Sequence, residues 1–120
     1  EVNYFDFVNF GSVIQYIDNY ENLLSKILLK VKKYILISGT HFYNKDSNKK
    51  NFIVKQVNLY PITNFLYFFN YDIFLNKFRE QNFKVIHSSE NKTHHINYEN
   101  FKTINIHDLK YTDVFLKKLD

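Results

Sequence analysis

The sequence predicts an α/β domain with helices on the faces of a mostly parallel sheet, and three observations carry that prediction. Short apolar runs suited to buried strands recur along the chain, as "YFDFVNF", "KYILISGT" and "FKVIHSS". Two segments with apolar residues at helical spacing stand between them. The first strand, helix and strand fit within about forty residues, the length of a crossover unit that joins parallel strands with a right-handed turn.

The first element, Tyr4 to Phe10, is almost continuously apolar, broken by Asp6 and Asn9, and reads as a strand covered on both faces. Gly11 and Ser12 make a turn, and Gln15 and Tyr16 are expected exposed at its tip. Asp18 precedes Glu21 by three residues, the spacing of a capping box that satisfies two amide groups at a helix start. Leu23, Leu24, Ile27, Leu28 and Val31 follow at helical spacing, with Lys30, Lys32 and Lys33 where the helix dipole favours cations. Lys33 to Thr40 is the second strand, ending in a glycine turn.

Residues 41–50 are polar and predict a loop, and "NFIVKQVNLYP" places Ile53, Val54 and Val57 in a short strand or an extended lid that Pro61 closes. Asn70 or Asp72 caps a second helix, with Ile73, Phe74, Leu75 and Phe78 inward and Lys77, Arg79 and Glu80 outward. Asn82 suits a left-handed position after it. Phe83 to Ser89 is a third strand and "TDVFLKKL" a fourth, separated by a stretch of weak periodicity that predicts a long excursion or an irregular hairpin. No repeat or domain boundary interrupts residues 1–120, which are expected to form a single domain.

Composition narrows the function. Hydrophobic residues make up 45% and aromatic residues 19%, enough for a packed interior. Cysteine is absent, which excludes disulfides and thiolate metal sites. The net charge of +4 rests almost wholly on lysine, since Arg79 is the only arginine, and this bias argues against nucleic acid, where arginine supplies bidentate contacts. No apolar run reaches the roughly 18 residues that span a bilayer, so a cytoplasmic protein without membrane contact is expected. Methionine is missing, even at position 1, and a strand pattern begins almost at once, so the chain is expected to be a fragment.

The order strand, helix, strand, loop, helix, strand, strand resembles the second half of a class I S-adenosylmethionine-dependent methyltransferase. The segments "FDFVNFGSVIQYIDNYENLLSKIL", "KYILISGTHF", "FIVKQVNLYP" and "NYDIFLNKFREQNFKVI" are similar to a bacterial group of methyltransferase-like proteins often found among surface-polysaccharide genes. The resemblance implies a Rossmann-like fold with the last strand antiparallel, S-adenosylmethionine as cofactor and a small-molecule or glycan-precursor acceptor. It also implies that the Gly-rich loop and the acidic residue that hold the cofactor belong to an amino-terminal half; "FGS" and "ISGT" match no such fingerprint, so the fragment alone is expected to be inactive.

By the same resemblance Gly11 and Ser12 lie beside the methionine part of the cofactor, and Gln56 either lines an acceptor pocket or, as the residues favour, packs within the lid. Gln15 and Tyr16 offer an amide and a phenol that either orient a substrate or serve packing and solvation. Thr40 and His41 end the second strand at the edge where such sheets place ligands, and His41, with a reference pKa of about 6.5, is the candidate general base. His94, His95 and His107, helped by His87 and Asp108, raise a metal site, but adjacent histidines on a strand point to opposite faces and no carboxylate stands at a ligand spacing, so no metal is expected. Lys45, Lys49, Lys50, Lys117 and Lys118 read as solvated charge or as a site for phosphate or anionic sugars.

Two further functions stay open. The apolar edge of Tyr4 to Phe10 lacks an inner neighbour, which fits a non-catalytic assembly module that pairs with a partner chain. Lysine-dependent binding of nucleic acid or another anionic polymer is the third.

Overall fold

The structure, a computed structural model, describes residues 3–43, 50–92 and 109–120. Strand β1 (Phe5–Gly11) leads through a 3-10 turn (Ile14–Tyr16) into helix α1 (Tyr20–Ile27) and the long strand β2 (Val31–Tyr43). The hairpin β3 (Phe52–Leu59) and β4 (Ile62–Asn70) follows, then helix α2 (Tyr71–Glu80), β5 (Phe83–Glu90) and β6 (Lys110–Lys118).

Strand β2 organises the sheet. Along one edge it pairs in parallel first with β1, from Phe5 opposite Val31 to Gly11 opposite Ser38, and then with the end of β4 through Phe42 and Tyr43. Along the other edge it pairs with β6 in antiparallel fashion, and β6 pairs likewise with β5. The sheet is therefore mixed, a correction to the mostly parallel expectation. Returning between β2 and β5, β6 separates two strands that run in one direction, and the tight β3–β4 turn permits only antiparallel pairing.

Both helices pack on one face. Tyr20 of α1 and Phe74 of α2 stand 5.9 Å apart between ring centroids, and both meet Phe69 of β4, at 5.0 and 4.4 Å. Phe10, Ile35, Ile37, Val114 and Leu116 supply the sheet side of this core. Strand alternation sends Phe7, Tyr34, Leu36 and Phe115 to the opposite face, where Tyr34 stacks on Phe115 at 5.3 Å and Phe7 is 50% exposed. Among the described residues no helix covers that face. Strand β1, expected covered on both faces, buries only Phe10.

Local signals fared unevenly. Asn70 caps α2, its Oδ1 accepting from the Ile73 amide at 3.1 Å, and Asn82 adopts φ 64° after the helix. The expected capping box at Asp18 does not form: Asn19 occupies the cap position of α1 without a side-chain bond, while the Asp18 carbonyl receives the Tyr67 hydroxyl at 2.7 Å. Val31 opens β2 instead of extending α1, and His41 to Tyr43 continue β2 instead of opening a loop. Strand β4 has no counterpart among the expected elements; Pro61 stands in the turn before it, and its partner β3 is the segment read as a strand or lid. The residues 44–49 and 93–108, with Lys45, Lys49, His94, His95, His107 and Asp108, lie outside the described residues.

Candidate functional site

The site grows from a bulge in β2. Pairing with β6 shifts register between Ile37 and Thr40, where Gly39 takes φ 62°, a left-handed conformation that glycine adopts without steric cost. Ser12, itself at φ 53°, sits directly above: its amide donates to the Ser38 carbonyl at 2.7 Å, and a Cβ on Gly39 would fall 2.1 Å from its Oγ. The turn after β1 thus lies against β2 backbone, and a side chain at 39 would have to displace the Ser12 hydroxyl as well as adopt a left-handed backbone.

Two side chains complete the lock. The Gly39 amide donates to Asp113 Oδ1 of β6 at 2.9 Å, and its carbonyl accepts from Gln15 Nε2 at 3.1 Å. The Thr40 hydroxyl donates to Gln15 Oε1 at 3.1 Å. Gln15 is 1% exposed and Thr40 is fully buried, so the expectation of an exposed Gln15 is corrected. The fully buried Ile14 beside it pulls the 3-10 turn inward and carries the amide with it.

Tyr16 points the other way. It remains 41% exposed, and its hydroxyl donates to Gln56 Oε1 of β3 at 3.3 Å, tying the turn to the hairpin that overhangs it. Between turn and hairpin runs a cleft of about 370 Å³, with Tyr16 and Asp18 on one wall and Ile53, Phe65 and Tyr67 on the other. Burial pushes the Tyr67 phenol above its ordinary pKa, and the negative charges of Asp18 and then Glu21 add to the shift. Burial, followed by Tyr16, does the same to Tyr111.

Of the residues singled out in the sequence, Ser12, Gln15 and Thr40 meet at the bulge, and Tyr16 and Gln56 meet at the cleft. Gly11 pairs with Ser38, and a Cβ built on it would meet the side chains of Asn9 and Ser38 at 3.7 Å, an ordinary contact. His41 is buried in a different set of contacts, its ring 4.1 Å from Tyr111 and 5.3 Å from Phe68. Asp113, Phe65 and Tyr67 escaped the sequence reading, and Asp18 entered it only as a helix cap. A lone glycine inside the apolar run "ILISGTHF" is a bulge signal, and an acid inside "YTDVFL" is a signal for a specific donor, but neither names its partner. Among the described residues no three His, Asp or Glu side chains gather as metal ligands. Nor, among them, is any helix long and apolar enough to cross a membrane.

No known sequence family matches the chain, and no curated protein matches it in sequence. Solved structures do match in shape. A structure described as a putative S-adenosylmethionine-dependent methyltransferase from Listeria monocytogenes superposes with a TM-score of 0.66 at 10% identity, over all of this chain. The amino-terminal domain of EvdMO1 with S-adenosylhomocysteine bound gives 0.53 at 11% identity over 97% of the chain, and the glycopeptide N-methyltransferase MtfA with S-adenosylmethionine gives 0.52 at 9% over 98%. This chain has a methyltransferase-like α/β fold. It spans 64%, 46% and 55% of the lengths of those three. In this fold the bulge and cleft stand at the carboxyl end of β1, beside the second half of β2, the edge where open α/β sheets take ligands.

Proposed function

We propose that the chain is the carboxyl-terminal half of a class I S-adenosylmethionine-dependent methyltransferase that acts in the cytoplasm on the oxygen or nitrogen of a surface-glycan precursor. The observation that carries this reading is the pairing of a β1 edge and a sheet face that no described strand or helix covers with a polar turn at the ligand edge of the same strand. An amino-terminal half would cover both, and the methyltransferase-like shape supports it.

S-adenosylmethionine is the cofactor of this reading, as it is of MtfA, and supplies a methyl group on a sulfonium sulfur. The residues of this chain fit it as one wall only. Gly39 is closed by Ser12, so it offers no cradle for the ribose or the methionine carboxylate of the cofactor. In this reading the amino-terminal half holds most of the cofactor. Its own contribution is positional: Ser12 and Gly11 border the donor side, Tyr16 and Gln56 the acceptor side, and the Gln15 and Thr40 bonds keep the two apart by a fixed distance. By the family resemblance His41 is the candidate base that takes the acceptor's proton, although it is buried against Tyr111 and Phe68 and does not line the cleft.

Calorimetry tests the reading. The chain alone should give no heat with S-adenosylhomocysteine, whereas a protein that continues upstream of Glu1 should bind it and transfer methyl groups. An upstream sequence lacking a strand followed by a Gly-rich turn sinks the proposal. A second reading, an assembly module, is favoured by Phe5 and Phe7 exposed along the β1 edge; a strictly monomeric chain at high concentration in size-exclusion chromatography would eliminate edge pairing.

A further inference from the structure

We infer that the cleft under the β3–β4 hairpin binds a protonated amine carried on a hydroxylated, sugar-sized ring. As the acceptor site this deepens the methyltransferase reading and rests on it; as a binding site it stands on the cleft itself. The size, about 370 Å³, lies at the small end of ligand pockets and suits one ring. Asp18 is the sole charged side chain among the residues that line it. Opposite stand the aromatic rings of Phe65 and Tyr67, whose faces attract cations, and Phe65 is 63% exposed, an apolar surface that a ring would cover. The Tyr16 hydroxyl, which lines the cleft, is a donor or acceptor for a ring hydroxyl.

Tyr67 donates to the Asp18 backbone carbonyl at 2.7 Å, which holds the Asp18 backbone beside the aromatic wall and leaves its exposed carboxylate open to a bound ammonium.

The test is a nuclear magnetic resonance titration of the chain with D-glucosamine and, separately, D-glucose, at a pH where the amine is protonated and with no cofactor present. Glucosamine should shift the amide signals of Asp18, Phe65 and Tyr67 saturably, and glucose should bind about two- to fivefold more weakly, the worth of one exposed cation contact. Asp18→Asn and Phe65→Ala, both at exposed positions that leave folding intact, should each weaken glucosamine by a similar factor. Equal affinity for the two sugars, shifts confined to other residues, or an unchanged affinity in Asp18→Asn overturns the inference. Because neither cofactor nor methyl transfer enters the measurement, its failure leaves the methyltransferase reading standing, and failure of the calorimetric test leaves this one standing.

Discussion

Replacing Gln15 by leucine should destabilise the chain by about 2–4 kcal/mol, and the figure follows from two bonds. Leucine has nearly the volume of glutamine, so no large cavity opens. What it removes is the donor to the Gly39 carbonyl and the acceptor for the Thr40 hydroxyl, both at 3.1 Å and both buried. A buried carbonyl without its donor costs about 1–3 kcal/mol. The Thr40 hydroxyl keeps only a 3.5 Å contact to the Ser38 carbonyl, so its loss adds about 1 kcal/mol. Against a domain stability of about 5–15 kcal/mol that is a large fraction. Urea denaturation followed by far-ultraviolet circular dichroism measures it, and Thr40→Val with the double variant closes a thermodynamic cycle. The double variant should cost about 1 kcal/mol less than the sum of the singles, since Thr40→Val has already removed one of the bonds. A change under about 0.5 kcal/mol for Gln15→Leu, the size expected of a solvated surface residue, would refute the buried clamp. Strict additivity would refute the Gln15 to Thr40 bond alone.

Gly39→Ala should cost about 1–2 kcal/mol for the left-handed backbone, plus the displacement of Ser12 Oγ from the 2.1 Å approach. In a Ser12→Gly background only the backbone part should remain, and equal costs in the two backgrounds, read from urea midpoints, would disprove the contact. The Tyr20 phenol is pushed well above its ordinary range by burial and then by Glu21. A folded pKa above the unfolded value of about 10 means its contribution is complete below pH 10 and is lost as pH rises from there through the folded value. The urea midpoint should fall between pH 8 and pH 11, and fall less in Tyr20→Phe; an equal fall in both would show that other tyrosines and lysines account for all of it.

The elements were legible where a single local signal sufficed. The apolar runs of β1, β2 and β5, the Asn70 cap and the left-handed Asn82 each depend on neighbours within a few residues, and each stands near its expected place. Strand β4 and the cap of α1 were not legible, because Tyr67 decides both from a distance: it pairs with Ile53 across the hairpin and gives its hydroxyl to the Asp18 carbonyl. The candidate site divides in the same way. Its residue types, an amide, a phenol and a hydroxyl near strand ends, can be read in order along the chain. Which way each one faces cannot.

The sequence by itself thus determined an α/β alternation, a polar turn after the first strand and a lone glycine in the second, since spacing and backbone freedom are properties of the chain. Only the tertiary structure decided that Gln15 turns inward to Gly39 and Thr40, that Tyr16 turns outward to Gln56, and that Asp113 arrives from β6. The Gln15 and Asp113 bonds to Gly39 join residues 24 and 74 positions apart. Burial of those polar groups requires partners, and only the folded sheet brings the partners within reach.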